Sequence, residues 1–280
     1  MKISGFTIAR NVIKYNYPVI ESINSILPIC DEFIVNIGDS SDGTEALLKE
    51  LKSPKIRIIR NRWDMSLKSE TLSQQTNLAL KECKGDWAFY LQSDEVVHEK
   101  DLSRLFSLMK NNLNNQNADA LRFYWLHFYG SFYRYRIDSG WYQKQDRIIR
   151  NNNTVESYGD AYGFRRTDKR PLGRVNTGCF IYHYGWVQPR DLMMQRRINA
   201  EEIGFVSLDD KKTKKEYEYG DLGRFPPYFG SHPKAMAEII IKHSMSVEDL
   251  KRIDKEFWWH PAKILRLRYK TFNRVKQRID

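Results

Sequence analysis

Apolar, strand-like runs alternate with helix-like segments through the first hundred residues, and this alternation limits the fold more than any other feature. Strand-like runs of apolar and β-branched residues occupy positions 3–8, 32–37, 55–60 and 87–92. Helical spacing of apolar residues predicts helices over 18–29, 44–52 and 67–82. Strands separated by helices are typical of a parallel sheet with helices on its faces. We therefore expect an α/β fold.

Polar residues stand at the carboxyl ends of three of the predicted strands. These clusters are residues 7–11 (TIARN), 38–42 (GDSSD) and 92–95 (QSDE). Because the carboxyl ends of parallel strands meet at one edge of the sheet, ligands of such folds bind in a crevice there. No G-x-G-x-x-G or Walker-type loop is present, which disfavours a dinucleotide-binding or P-loop site.

The net charge of +11 is unevenly distributed, because residues 251–280 hold ten Lys or Arg against three Asp or Glu. Such a basic segment favours an anionic partner, such as a membrane surface or a phosphorylated substrate. Cys30, Cys83 and Cys179 are widely spaced, which predicts a reducing compartment. The N-terminus lacks a signal-peptide core, and no run reaches 18 apolar residues. We expect a cytoplasmic protein that meets the inner face of a membrane only from the side.

The order of these motifs resembles that of the inverting family 2 glycosyltransferases, which have the GT-A fold. Residues 40–44 (SSDGT) match the end of the family's Asp-x-Gly-Ser-x-Asp-Gly-Thr turn, and Asn77 matches an Asn in the following helix. Residues 85–87 (GDW) and 92–94 (QSD) match a strand that ends in Asp-x-Asp. The resemblance is clear over residues 1–100 and looser to about 190. It implies a Rossmann-like, mostly parallel sheet flanked by helices, with an acceptor-side half and a helical tail after it.

The resemblance also implies a division of the chain and a donor. Residues 1–118 would form the nucleotide-sugar-binding half, and 119–205 the acceptor and catalytic half of the same domain. Residues 206–280 would form a C-terminal loop and a basic helical extension. The donor would be a nucleoside-diphosphate sugar, with a UDP-sugar as the first expectation, and the acceptor a glycan or a lipid-linked sugar.

The donor-binding residues follow from the matched motifs, which depart from the family pattern at two places. Ile37 stands where the family has its first Asp, so we expect Asp39 to contact the nucleoside, while Asp42 caps the next helix with Glu45 in a capping box. Gln92 replaces the first Asp of Asp-x-Asp, so its amide would face the sugar hydroxyls. The complete expected donor set is Ala9, Arg10, Asn11, Asp39, Lys68, Asn77, Gln92, Ser93 and Asp94.

The resemblance further implies a divalent cation, Mn²⁺ or Mg²⁺, that offsets the charge of the departing diphosphate. Asp94 is the expected carboxylate ligand, and the alternative is that it caps a helix starting near Lys100. Glu95 is either a supporting residue of the metal site or an ordinary solvated one. His183 lies in an aromatic strand, and we expect it to complete the metal site. The alternative is a hydrogen-bonded core histidine.

Inverting transfer needs a carboxylate base in the second half of the chain, which takes the proton of the attacking hydroxyl. Asp160 is the first choice, because it follows a Gly and lies between aromatics in the stretch SYGDAYGF. Asp138, Asp146 and Glu156 compete with it, and a plain turn Asp is the structural alternative.

Aromatics and basic residues suggest surfaces for an acceptor. Trp125, Tyr129 and Trp141 would stack on acceptor sugars, or simply pack in the core. The segment from residue 262 reads as a basic helix, in which Arg266, Arg268 and Arg274 would face anionic lipid, unless the helix is merely solvated. No nucleic-acid-binding module is present, so we expect no nucleic-acid partner.

Two other functions compete with sugar transfer. A degenerate module that binds a sugar or nucleotide without transfer is favoured by Gln92. Nucleotidyl transfer would need a Gly-rich loop with Lys or Arg after the first strand, and residues 9–17 do not show one.

Overall fold

The computed structural model describes residues 1–138, 140–204 and 217–242 of the chain. Its strands are β1 Ile3–Ala9, β2 Glu32–Ile37, β3 Ile56–Arg60, β4 Trp87–Tyr90, β5 Glu95–Val97, β6 Ala120–Tyr129, β7 Tyr135–Arg136, β8 Lys144–Arg150, β9 Val155–Tyr158, β10 Gly163–Arg166 and β11 Arg174–Trp186. Its α-helices are α1 Val19–Ile26, α2 Thr44–Lys49, α3 Glu70–Lys81, α4 Leu102–Asn111, α5 Arg190–Glu202 and α6 Ala237–Lys242.

One large sheet organises the described residues, in the order β3-β2-β1-β4-β8-β6-β11-β5, with β7 paired beside β6. Strands β3, β2, β1 and β4 pair in parallel, while β8 runs antiparallel to both β4 and β6. Strand β11 is parallel to β6, and β5 is antiparallel to β11. Six of the nine strands therefore run in one direction and three run in the other, and the predicted α/β class is confirmed.

Side-chain alternation along the central strands builds a core on each face of the sheet. On one face, Trp87 and Phe89 of β4 pack with the apolar stripe of α1. On the other face, Ala88 and Tyr90 of β4 pack against α3 and the small β9–β10 hairpin. Both faces of β4 are buried, which explains why its sequence is apolar throughout.

Two local expectations are wrong in detail. The helix expected from residue 67 begins at Glu70, because Met65–Leu67 form a 3₁₀ turn and Lys68 has a φ of 52°. The expected capping box is absent from the start of α2. Asp42 instead accepts hydrogen bonds from the Thr44 side chain and backbone, and Glu45 pairs with Lys49 and Arg60.

The predicted basic helix, with Arg266, Arg268 and Arg274, lies outside the described residues, as does most of the predicted 206–280 extension. Within residues 1–138, 140–204 and 217–242, no helix combines the length and apolar character needed to cross a bilayer. The three cysteines are buried free thiols.

Candidate active site

Strand register brings Asp94 and two histidines together at the carboxyl edge of the sheet. His183 of β11 pairs with His127 of β6 on one side and with Glu95 of β5 on the other. Paired residues on neighbouring strands project from the same face, so the two imidazoles meet. Asp94 immediately precedes β5, and its carbonyl accepts the Tyr184 N–H at 2.9 Å. Its Oδ2 atom lies 3.5 Å from Nε2 of His183.

Gly185 keeps a space open between these two groups. A Cβ atom at this position would lie 2.5 Å from Oδ2 of Asp94 and 2.8 Å from Nε2 of His183. The side chain of any residue other than glycine would therefore fill the space between the carboxylate and the imidazole. An oxygen and a nitrogen donor around a small vacant space are suited to a divalent cation.

Asp94 favours the charged form in this setting, although only 15% of its side chain is exposed. Burial alone would raise the pKa of Asp94, but His183 and then Arg196 favour the carboxylate, so the pKa of Asp94 falls below its ordinary value. Arg196 of α5 is itself buried and donates to the carbonyls of Tyr15, Asn16 and Gly185 at 2.6–2.9 Å. These hydrogen bonds hold α5 over the carboxyl edge of the sheet, and the guanidinium of Arg196 adds positive charge there.

Helix α5 and the strand ends enclose a cavity of about 170 Å³ next to Asp94, which we call the crevice. Strand ends supply Ile8, Arg10, Gln92, Ser93 and Asp94, and α5 supplies Arg196, Asn199, Ala200 and Ile203. Trp63, which follows β3, packs on the backbone at Gly38, where a Cβ atom would meet its Nε1 at 2.3 Å. The crevice thus joins the ends of three strands under one helix.

Buried polar atoms without hydrogen-bond partners cluster around the crevice. Among the described residues, Nε of Arg10, Nε1 of Trp63 and Oδ1 of Asn199 are buried and unpaired, and all three residues line it. Each such atom costs about 1–3 kcal/mol when left unsatisfied. A ligand that supplies partners for these atoms would recover that free energy on binding.

Asp160 lies in the turn between β9 and β10, beside the same edge. Its Oδ1 atom is buried and has no hydrogen-bond partner among the described residues. Gln92 donates to the carbonyl of Ala161 at 3.3 Å, which ties this turn to the loop that carries Asp94. Burial raises the pKa of Asp160, while Arg147 lowers it to a smaller extent. A partly buried carboxylate with a raised pKa and a free oxygen is able to accept a proton.

The three competing carboxylates are each paired with arginine. Asp138 pairs with Arg136, and Glu156 pairs with Arg165 at 2.9 Å. Asp146 is buried between Arg122 and Arg174, each at 2.9 Å. An arginine partner stabilises the charged carboxylate and makes it a weaker base, so the geometry favours Asp160 over all three.

Comparison with known proteins decides the family. The profile of Glycosyl transferase family 2 matches residues 6–172, more than half of the chain. The chain belongs to glycosyl transferase family 2. The crevice, Asp94, His127 and Asp160 all lie within or against this matched region. A search of curated proteins gives no significant match.

Solved structures with a similar fold include TarS of S. aureus, at 14% identity and a TM-score of 0.44. That alignment covers 76% of this chain and 41% of the TarS chain. TarS 1–349 in complex with UDP has 15% identity and a TM-score of 0.45, covering 76% of this chain and 68% of that one. The complex with UDP-GlcNAc has 16% identity and a TM-score of 0.44, covering 76% and 69%. The chain therefore spans less than half the length of the first of these TarS chains.

Other residues expected to bind the donor lie around the crevice. Ala9 is buried in β1, and Asn11 joins two strand-end loops by accepting from Ser41 N at 2.9 Å. Asp39 is exposed, 3.7 Å from Arg62. None of these lines the crevice among the described residues, and their donor contacts stay predictions.

Lys68 and Asn77 are also held away from the crevice lining. Lys68 packs against Gly204, just after α5. Asn77 exchanges hydrogen bonds of 2.7 and 2.9 Å with the backbone of Ser157, which fixes β9 on α3. The contacts of Lys68 and Asn77 with a nucleotide also stay predictions.

Two alternatives for the acidic motif are excluded. Asp94 does not cap a helix, because β5 follows it directly and His98 caps the next turn. Glu95 is not solvated: it is fully buried and forms a two-pronged ion pair with Arg147 at 2.7 and 2.8 Å. It also accepts the N–H of Gln92 at 3.0 Å, so it shapes the loop that presents Asp94.

The structure adds Trp63, His127, Arg196 and Asn199 to the residues found by sequence. Trp63 could have been found, because it follows a predicted strand in the same way as the other clusters. Arg196 and Asn199 lie on a helix of weak amphipathicity about a hundred residues after Asp94, and no motif marks them.

The aromatic residues expected to stack on acceptor sugars differ in burial. Trp125 and Tyr129 are core residues, whereas Trp141 is half-buried and packs on Trp186 and His127.

In the ranges that the structure describes, no three His, Cys, Asp or Glu side chains form a metal cluster. A cation at Asp94 and His183 would therefore need further ligands from a substrate. This suits Mg²⁺ or Mn²⁺, which are commonly held by one or two protein groups together with substrate phosphates.

Proposed function

We propose that this glycosyltransferase moves a sugar with inversion from a nucleoside-diphosphate sugar, a UDP-sugar in the first instance, to a glycan or lipid-linked acceptor. The observation that carries the proposal is that three unpaired polar atoms line the crevice beside Asp94 and His183. Gln92 ties the turn that contains Asp160 to the same loop. Family membership supplies the reaction class, and these residues supply the roles.

The nucleoside end of the donor is assigned to the crevice. Trp63 offers an aromatic wall, and the unpaired atoms of Arg10 and Asn199 offer a donor and an acceptor for a base or ribose. Asp39, exposed at the end of β2, is proposed to reach the nucleoside from the open side. A cavity of about 170 Å³ is smaller than the 300–1,000 Å³ of typical ligand pockets, so only the nucleoside end of the donor is assigned to it.

The diphosphate is assigned to the space beside Gly185. Asp94 and His183 would hold Mn²⁺ or Mg²⁺ there, and Arg196 lies close enough to lower the pKa of Asp94. When bound, the cation would offset the negative charge that develops on the leaving diphosphate. The two protein groups and the open space left by Gly185 fit such an ion.

Asp160 is proposed as the base. The acceptor oxygen attacks the anomeric carbon, and the bond from that carbon to the diphosphate oxygen breaks with its electron pair leaving on the diphosphate. The proton of the acceptor hydroxyl passes to the free Oδ1 of Asp160. Gln92 positions the turn of Asp160 through Ala161, although its family counterpart is a carboxylate.

The acceptor is assigned to the side of His183 away from the nucleoside. Trp141 and Trp186 pack edge to face there, with ring centroids 5.1 Å apart, and both are half-buried. Flat apolar rings beside the reaction centre suit a sugar ring. We propose that the basic segment from residue 262 lets a cytoplasmic enzyme approach lipid-linked acceptors at the membrane.

The function is tested by incubating the protein with a panel of nucleotide sugars and Mn²⁺ and following nucleoside-diphosphate release and sugar transfer by mass spectrometry. We expect one donor to be consumed with inversion at the anomeric carbon. Asp160→Asn is the matched control, because it keeps the volume of the side chain and removes the base. A donor that binds but is not consumed with any acceptor would support the non-catalytic binding module. That alternative is favoured by Gln92, which stands where the family has an Asp. Absence of nucleotide-sugar binding would refute both.

A further inference from the structure

His127 is buried between the metal-facing histidine and a backbone carbonyl. Its Nε2 atom lies 2.7 Å from the carbonyl oxygen of Tyr142, and its Nδ1 atom lies 3.1 Å from Nδ1 of His183. The rings of Trp141 and Tyr142 pack against it, each at 4.9 Å, and only 2% of the residue is exposed. The ring is thus held in one orientation.

These contacts dictate where the protons are. A carbonyl oxygen can only accept, so Nε2 of His127 carries a proton and donates it to Tyr142. In the neutral ring the other nitrogen is then an acceptor, so the Nδ1–H of His183 must be the donor between the two rings. When His183 is neutral, its Nε2 atom is therefore left without a proton, 3.5 Å from a carboxylate oxygen of Asp94.

A lone pair that faces a carboxylate oxygen is unfavourable unless a proton or a metal cation lies between them. We propose that His127 is a positioning residue that fixes the Nδ1–H tautomer of His183 and thereby directs Nε2 at a divalent cation shared with Asp94. The metal part of this inference rests on the proposed function. Histidines that bind metals commonly donate their other N–H to a hydrogen-bond acceptor, and loss of that acceptor commonly weakens the metal site.

Two variants separate this role from simple packing. His127→Leu fills similar space and removes the acceptor, whereas His127→Asn keeps an acceptor near the position of Nδ1. Mn²⁺ binding in the presence of UDP is measured by electron paramagnetic resonance. We expect about 10–100-fold weaker Mn²⁺ binding in His127→Leu and a change of no more than about threefold in His127→Asn. Circular dichroism and metal-free UDP binding show whether each variant is folded.

The tautomer is read independently of metal by nitrogen NMR of ¹⁵N-histidine protein, with the His183 signals assigned by substitution. We expect the Nδ1–H form of neutral His183 in the wild type and in His127→Asn. The Nε2–H form in the wild type would overturn the inference, as would wild-type Mn²⁺ affinity in folded His127→Leu. If His127→Leu does not fold, the wild-type tautomer decides.

Failure of the two proposals can be told apart. A wild type that transfers sugar and binds no Mn²⁺ overturns the inference and leaves the proposed function standing. A wild type that binds Mn²⁺ and UDP, shows the Nδ1–H tautomer and transfers no sugar overturns the proposed function alone.

Discussion

The two edges of the sheet contrast sharply in how their polar groups are satisfied. At the carboxyl edge, the crevice is small, about 170 Å³, and its lining includes three unpaired buried polar atoms. At the opposite edge, before β6 and β11, a groove of about 1,100 Å³ is lined by residues of the 113–119, 150–154 and 166–173 segments. We call this the opposite groove. It is larger and more polar than the crevice, and none of the residues proposed for catalysis lines it.

The charged groups of the opposite groove are already used within the protein. Asp119 accepts from Arg166 and from the N–H of Gly173, both at 2.8 Å. Arg150 donates to four backbone carbonyls and stacks on Trp87. No buried side-chain nitrogen or oxygen of this groove lacks a partner within the described residues. We therefore base the choice of the crevice on its unsatisfied polar atoms and not on cavity size, because such atoms gain hydrogen-bond partners from a ligand.

The largest expected effect separates the two edges by activity. Asp94→Asn removes the charge that faces His183, and we expect roughly a thousandfold loss of transfer rate. Asp119→Asn in the opposite groove should lower the thermal midpoint and leave the rate of folded protein within about twofold. Steady-state kinetics and calorimetry on both variants check this. Equal losses of rate in the two variants would contradict the proposal that only the carboxyl edge of the sheet takes part in catalysis.

The next effect concerns the base and its dependence on pH. Asp160→Asn should reduce kcat by about 10²–10⁴-fold and leave donor binding intact. Burial raises the pKa of Asp160, and a base works only when deprotonated. The wild-type rate should therefore fall as the pH decreases through that raised pKa. The residual rate of Asp160→Asn should lack this acid limb, and an unchanged limb would assign the base elsewhere.

A smaller effect tests the space between Asp94 and His183. Gly185→Ala places a methyl group within 3 Å of Oδ2 of Asp94 and of Nε2 of His183, and we expect roughly 10–100-fold weaker Mn²⁺ binding with a parallel fall in rate. The φ angle of Gly185 is not positive, so the backbone itself tolerates alanine. Gly140→Ala, where an added Cβ atom meets nothing within 4 Å, is the matched control. Normal Mn²⁺ affinity in Gly185→Ala would place the cation elsewhere.

The smallest effect compares satisfied and unsatisfied groups through stability. Asn199→Leu removes an unpaired acceptor, so the ligand-free protein should be as stable as the wild type or slightly more stable. UDP should bind this variant with a Kd several-fold higher than that of the wild type, and should therefore stabilise it less. Arg166→Met in the opposite groove should do the reverse, with lower stability and unchanged UDP binding. Thermal denaturation with and without UDP measures both quantities.

The sequence predicted the sheet, and the edge at which we propose the active site, because both follow from local patterns. Alternating strand and helix periodicity led to the α/β class, and polar residues after strands led to Arg10, Gln92 and Asp94. Register cannot be seen in this way. The pairing of β6 with β11 joins His127 to His183 across 56 residues, and each histidine alone resembles a core residue.

The sequence also does not reveal which carboxylates form ion pairs with arginine. Glu95 looks like a partner of Asp94 in the sequence, yet alternation turns it into the core, where Arg147 neutralises it. The arginine partners that make Asp138, Asp146 and Glu156 weaker bases could be seen only in the structure. The cover that α5 places on the crevice depends on long-range packing of Arg196, which no local signal encodes.

The central claim is that the crevice binds a nucleoside diphosphate together with a divalent cation at Asp94. Thermal denaturation of the wild type and of Asp94→Asn, each with UDP, with Mn²⁺ and with both, tests it most directly. With ligand at about a hundred times Kd, we expect the wild type to gain about 2.7 kcal/mol, a rise of roughly 5–10 °C in thermal midpoint. The rise should depend on Mn²⁺ and should be largely lost in Asp94→Asn. A wild type whose midpoint UDP does not raise, with or without Mn²⁺, would contradict the claim.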